Sequence, residues 1–274
     1  MINHKSLIFI LLIISACKPP GNLAIEGSIN DSITEASAIE ISRTYDAFWT
    51  IEDAGNDSEL IALNRRGKIL HSLPITNAKN IDWEDLTSDK KGNIYIGDFG
   101  NNNKKRKQFT IYKVKNEDLN ETTAKAERID FTLSKKQHSK DFEAFILYEG
   151  FFYIFSKEHK NFIVVKVPNK IGNHEAVLIK KHEFNGKHNK ITSAAMSKDG
   201  KTLVLLNHEK LWKMTNFKSD DFFSGTVKKL PFKHNSQKEG VCFLTDSTVV
   251  ITDERNGSEG GNIYTFALDL ASDF

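Results

Sequence analysis

Cysteine is nearly missing from the chain: the 274 residues hold two, Cys17 and Cys242. A scaffold stapled by several disulfides is thereby excluded. Proline is scarce at five. Charge of either sign is not in excess, since 38 Lys+Arg stand against 36 Asp+Glu for a net +2. That balance removes the whole-molecule field with which proteins hold nucleic acid, and nucleic acid is not expected as a partner. No apolar run reaches the about 20 residues that a membrane-spanning helix needs. Familiar catalytic signatures are missing too: there is no HExxH for a zinc hydrolase and no G-x-S-x-G elbow. Gly257-Ser258-Glu259-Gly260-Gly261 lacks the lysine and helix of a phosphate loop and reads as a hairpin tip. What remains is a globular composition, 39% hydrophobic and 27% charged.

The N-terminus has the build of an export signal. Lys5 precedes an apolar run, Leu7 to Ile14, which is followed by Ser15-Ala16-Cys17. The run fits the core of a signal peptide, and Ile14-Ser15-Ala16-Cys17 resembles the lipobox of bacterial lipoproteins. The resemblance implies cleavage of residues 1–16 and lipidation of Cys17, with several acyl chains giving stable anchorage. Losing Lys5 leaves 37 cations against 36 acids, so the balance persists. Residues 17–22 read as a tether and 23–274 as the folded domain. The expected address is the bacterial cell envelope, the outer membrane favoured, with the domain outside the cytoplasm. Cys242 is then left without a disulfide partner and reads as a small buried hydrophobe.

The domain shows no convincing four-turn amphipathic helix. It consists of short runs rich in Ile, Val, Phe, Tyr and Thr between Asn/Asp/Gly/Lys turns, the pattern of hairpins. Within it a five-residue pattern recurs: Glu35-Ala36-Ser37-Ala38-Ile39, Asp82-Trp83-Glu84-Asp85-Leu86, Asp141-Phe142-Glu143-Ala144-Phe145, Thr192-Ser193-Ala194-Ala195-Met196 and Gln237-Lys238-Glu239-Gly240-Val241. Centre to centre the copies lie 47, 59, 51 and 45 residues apart. Each opens a series of three or four strands, which is the period of a β-propeller blade. The last copy has room for only three strands, and Leu23–Ile29 can supply the fourth and remove an exposed edge. The expectation is all-β: five four-stranded blades closed by the N-terminal strand, with six blades as the alternative.

The innermost strand of each blade lines a propeller's channel, and side chains two apart share a strand face. Asp82 with Glu84, and Asp141 with Glu143, therefore point together. Counting 14 residues from the motif centres reaches Asp98, Lys157, His208 and Asp253, with Asp53 in that place in the first unit. The channel-lining set is thus Glu35, Asp53, Asp82, Asp141 and Lys157. Glu84, Glu143, Glu239, Asp98 and Asp253 are candidate metal ligands. Crowded carboxylates repel unless a cation joins them, and an all-oxygen set suits Ca²⁺. The competing expectation is a purely structural network in which Lys157, His208 and Arg255 neutralise the acids. Lys104-Lys105-Arg106-Lys107 reads as a solvated hairpin tip, with contact to anionic polysaccharide or lipid heads as its other reading.

Asp82-Trp83-Glu84-Asp85-Leu86, Gly92-Asn93-Ile94-Tyr95-Ile96-Gly97-Asp98-Phe99-Gly100-Asn101-Asn102, Asp141-Phe142-Glu143-Ala144 and Lys238-Glu239-Gly240-Val241 together resemble envelope propellers of the SdiA-regulated family. More distantly they resemble esterase-like, phytase-like propellers. The first resemblance implies a secreted propeller holding calcium at its centre, with Glu84, Glu143 and Glu239 matching the motif glutamates. Ser37 and Ala194 depart from the motif, which implies an asymmetric site. Two functions are expected in order: an anchored propeller binding a protein, glycan or small-molecule ligand at its acidic face, and a calcium-dependent hydrolase of esters, lactones or phosphoesters. In the second, His208 is the candidate general base.

Overall fold

A computed structural model describes residues 21–42 and 46–269. The expected leader, Cys17 and most of the expected tether lie outside the described residues. Of the tether, Gly21 and Asn22 are described, and Asn22 donates its backbone N–H to the Phe232 carbonyl at 2.7 Å. The described chain contains no α-helix, and none of its helices is long and apolar enough to cross a membrane.

Strand β1 (Ala24–Ser28) precedes four-stranded antiparallel units that follow the recurring motif. The first unit is β2 (Glu40–Ile41), β3 (Phe48–Thr50), β4 (Glu59–Leu63) and β5 (Ile69–Pro74). The second is β6 (Trp83–Ser88), β7 (Ile94–Asp98), β8 (Gln108–Val114) and β9 (Glu127–Leu133); the third is β10 (Phe142–Tyr148), β11 (Phe151–Ser156), β12 (Phe162–Pro168) and β13 (Gly172–His182). The fourth is β14 (Ser193–Met196), β15 (Thr202–Leu206), β16 (Lys210–Thr215) and β17 (Thr226–Pro231). The last runs β18 (Lys238–Thr245), β19 (Thr248–Asp253), then a small hairpin of β20 (Arg255–Asn256) and β21 (Glu259–Gly260), then β22 (Asn262–Ala267). Its outer place is taken by β1, antiparallel to β22 from Ala24↔Thr265 to Ser28↔Asn262. The two ends of the described chain are thus sewn into one sheet.

One pairing has no counterpart in the repeat. β13 runs parallel to β9, from Gly172↔Ile129 to Ala176↔Leu133, which fuses the second and third units into an eight-stranded sheet. The reason is length. β13 has 11 residues, so its first half reaches past β12 and satisfies its backbone groups on the neighbouring edge.

Apolar side chains fill the spaces between successive sheets. Trp49, Leu60 and Leu73 meet Trp83, Ile94 and Ile96; Phe109 and Phe131 meet Phe142 and Phe152. Phe155 and Phe162 meet Leu205 and Trp212. Val204 and Leu206 meet Val249 and Tyr264, and Val250 and Ile263 meet Phe48 and Ile61 of the first unit. Fully burying one such side chain contributes about 1.5–3 kcal/mol, so each interface is strong enough to hold its neighbours in place. The last interface returns to the first unit. The fold is all-β and β-propeller-like, with β2, β6, β10, β14 and β18 in contact around its centre.

Candidate functional site

The first residue of four of the five motif copies enters its strand through a shared backbone contact; in the other, Thr192 instead donates its N–H to the Leu206 carbonyl at 3.0 Å. Asp53, Gly100, Lys157 and Glu254 donate their N–H groups to the carbonyls of Glu35, Asp82, Asp141 and Gln237 at 2.8–3.1 Å. These four pairs bring the start of each inner strand beside the end of the next strand, at one end of the ring. A bulge at Glu84 and at Glu143 then turns both glutamates toward the same place.

Two overlapping triads result. Ligand oxygens of Asp53, Asp82 and Glu84 lie within 4.8 Å of one another, as do those of Glu84, Asp141 and Glu143. Glu84 and Glu143 are buried, as is Asp141. Gly100 makes room for them: a Cβ there would sit 2.0 Å from Glu84 Oε1 and 2.5 Å from Asp82 Cγ. Gly100→Ala is therefore expected to push both carboxylates out of place while the blade core stays packed. Circular dichroism beside a structure of the variant checks this, the expected outcome being an unchanged fold with the Glu84 and Asp82 carboxylates displaced.

Electrostatics follow from the crowding. Burial and the neighbouring Asp53, Asp141 and Asp98 push Asp82 up to about 6. Burial and Glu143 hold Glu84 well above the usual carboxylate range. Glu143 is pushed up to about 8 by burial, although Lys157 Nζ lies 2.8 Å from its Oε2 and pulls the other way. Burial, Glu239 and Asp53 take Glu254 to about 7. Burial alone would lower Lys157, but Glu143, Glu239 and Glu84 outweigh it and hold its ammonium above the ordinary value. One lysine does not neutralise this many acids. Glu143 Oε1 has no donor within reach, so a proton shared with Glu84 or a cation is needed to satisfy it.

The other expected residues take separate places. His208 Nε2 lies 3.0 Å from Glu239 Oε1 at the rim, half-exposed. Glu35 Oε2 accepts from Asn56 Nδ2 at 2.7 Å. Asp98 Oδ1 is taken by Arg106 Nη1 at 2.9 Å and by the Asp82 N–H at 3.1 Å. Asp253 accepts from the Asn262 N–H at 2.7 Å and the Tyr264 hydroxyl at 2.8 Å. Asp98 and Asp253 are not among the clustered ligand oxygens, although Asp98 Oδ2, like Glu143 Oε1, is buried without a hydrogen-bond partner. A fixed count of 14 misses because the hairpins differ in length: Asp98 pairs with Trp83 and Asp253 with Lys238, whereas Ser156 takes that place opposite Phe142. Counting along the backbone bonds from the first motif residue reaches Gly100 and Glu254 instead. Cys242 is buried and free, its thiol pushed up by burial.

Another cavity, of about 510 Å³, opens where the inner strands end, lined by Ile41, Thr87, Leu147, Met196, Cys242 and Asp246 among others. Its carboxylates, Glu40, Asp89 and Asp246, do not cluster as those of the mouth do among the described residues.

A family model described as SdiA-regulated matches residues 18–214 of the chain. Among curated proteins nothing matches.

Proposed function

The chain belongs to the SdiA-regulated family, and on that premise we propose an envelope lipoprotein, anchored through Cys17, whose five-bladed propeller binds a hard divalent cation at its acidic mouth and takes up its ligand there. Reading each four-stranded unit as one blade gives the count of five, with β1 completing the last. Outer-membrane anchorage is part of the proposal and rests on the leader and the lipobox-like Ile14-Ser15-Ala16-Cys17.

The observation that carries the reading is the sharing of Glu84 between two carboxylate triads in a cradle that only glycine leaves open. The residues fit a hard cation by three criteria. The donors are all oxygens; Glu143 has a buried, donorless oxygen; and Gly100 leaves the needed space. Asp53, Asp82, Glu84, Asp141 and Glu143 would hold the ion. Bound there, calcium supplies positive charge that neutralises the cluster and offers coordination to oxygens of a ligand. Lys157 keeps Glu143 oriented from the side, while Glu239 and His208 form the rim that an incoming ligand meets.

The His208–Glu239 pair favours a second reading, the calcium-dependent hydrolase, because a carboxylate orients an imidazole for proton transfer. Calorimetry on the full chain tests the first reading, with Glu84→Gln and Glu143→Gln beside it. Micromolar calcium binding lost in both variants is the expected result. No heat at millimolar calcium would reduce the acids to a structural network. Turnover of simple ester or phosphoester substrates by the calcium-loaded chain would move the function to the hydrolase.

A further inference from the structure

The run Lys104-Lys105-Arg106-Lys107 occupies the loop between β7 and β8, and Lys135-Lys136-Gln137-His138 the loop between β9 and β10. Although far apart in sequence, the two loops are held together by one side chain. Asn101 Nδ2 donates to Ser139 Oγ at 2.8 Å and to the Lys140 carbonyl at 2.9 Å, while Asn101 Oδ1 accepts the N–H groups of Lys105 and Arg106. Ser139 Oγ donates in turn to the Arg106 carbonyl. Like charges packed side by side cost stability, yet here a buried asparagine places them so.

The charges do not cancel internally. Arg106 turns inward to Asp98, and Glu158 takes Lys104 and Lys140 at 3.1 and 3.0 Å. Lys105, Lys107, Lys135 and Lys136 are exposed and have no ion-pair partner among the described residues. Between the loops lies a cavity of about 620 Å³ walled by Lys107, Lys135 and His138, with Phe109 and Leu133 at its floor and Glu175 its one acid. That volume is in the range of small-molecule sites, roughly 300–1,000 Å³. Gln137 also lines it, and its Oε1 is buried without a hydrogen-bond partner.

We propose that this cleft binds an anionic saccharide, its phosphate or carboxylate on the lysine rim and a hydroxyl on the Gln137 amide, which a turn of that side chain brings into the cleft. Lysine presents a compact, rotatable point charge, which suits either anion. A flat lipid surface would use the exposed lysines but neither the concavity nor the buried acceptor. The site is separate from the acidic mouth and needs no cation.

Calorimetry on the full chain in EDTA tests it, with oligogalacturonate as the carboxylated probe, phosphomannan fragments as the phosphorylated one and dextran as the neutral control. Binding of at least one anionic probe and none of dextran is expected. A Lys107→Glu/Lys135→Glu double variant should weaken it by about tenfold or more, and Lys107→Ala/Lys135→Ala by less. Gln137→Leu should weaken the oligosaccharide but leave inorganic phosphate unchanged. A Lys90→Glu/Lys198→Glu double variant, reversing lysines that line a different cavity, should bind as the unaltered chain does. Equal binding of dextran, an unaffected double variant, or silence with both anionic probes overturns the proposal. So does binding confined to phosphatidylglycerol vesicles. Loss of calcium binding at the mouth would leave this result intact, so the two readings fail separately.

Discussion

Freed of divalent cations, the protein is expected to lose thermal stability as the pH is raised from about 4 to about 8, and calcium to restore it. The sign follows from the carboxyls of the acidic mouth. Asp82, Glu254 and Glu143 are pushed up to about 6, 7 and 8, while unfolded they titrate at 3.8, 4.5 and 4.5. In that interval the folded state holds protons that the unfolded chain has released, so stability falls with rising pH. The contribution is complete below pH 4 and is lost as each folded value is passed. Asp89, Glu158 and Asp220 are held below their ordinary values by hydrogen-bond partners and act below this window. Under the proposed function calcium would bind the ionised cluster, so its effect should be greatest at the alkaline end. At a hundred times the dissociation constant it stabilises by about 2.7 kcal/mol, or about 5–10 °C in melting temperature for a domain of this size. Glu84→Gln, which removes the carboxylate common to both triads, should raise the melting temperature of the cation-free protein at pH 8 and abolish the calcium response. Scanning fluorimetry at pH 5 and pH 8 with EDTA or calcium checks both. A flat pH profile without a calcium shift would contradict the cation site.

The repeat was legible because each inner strand begins with the same problem. In four of the five its opening residue accepts an N–H from the following strand's end, and where the third residue is a glutamate it faces the axis, so Asp82-Trp83-Glu84 and Asp141-Phe142-Glu143 carry one pattern. The outer closure was legible too, as Leu23–Ile29 alternates like a strand and β1 lies within it. Hairpin length was not. A turn of Tyr148-Glu149-Gly150-Phe151 is tighter than Asp89 to Asn93, and one residue of difference moves every later position across the sheet. That variation is why a fixed count of 14 reaches Lys157, bonded to the first residue of its motif, but stops at Asp98 and Asp253, two residues and one residue short of the equivalent Gly100 and Glu254. Gly100 could be found from sequence only by following the backbone bond from Asp82, since a glycine carries no charge to mark its place. The parallel contact of β13 with β9 depends on how far β13 overshoots β12, which local pattern does not encode. The pairing of the Lys104–Lys107 and Lys135–Lys136 loops through Asn101 is likewise a product of folding.

The other large effect belongs to a residue that the motif hid in its fourth place. Asp85→Ala is expected to destabilise the domain by about 2–6 kcal/mol or to prevent its folding, more than any substitution at the acidic mouth. Inner strands are edge strands toward the axis, and their N–H groups there need acceptors. Asp85, fully buried, supplies them for three units: it accepts from the Leu86 N–H at 3.0 Å, the Phe145 N–H at 3.1 Å, Ser193 Oγ at 2.9 Å and the Ala194 N–H at 3.3 Å. Ser193 Oγ passes the connection on by accepting the Val241 N–H at 3.1 Å, which reaches the last unit. Burial holds the Asp85 carboxyl well above the usual carboxylate range, although the four donors pull the other way. Alanine would leave the Phe145 and Ala194 N–H groups buried and unpaired, each costing about 1–3 kcal/mol. Asparagine keeps the volume but points an NH₂ at donors, so Asp85→Asn should fall between the unaltered chain and alanine. Ser193→Ala, which breaks the relay while leaving the carboxylate, should cost about 1–3 kcal/mol. Urea unfolding of the three variants measures the order. If Asp85→Ala melts within a degree of the unaltered protein, the axis is held by side-chain packing between units and the carboxylate is dispensable. If the expected order appears, the same five-residue motif serves two ends, with its third residue facing the mouth and its fourth tying the ring that holds the mouth together.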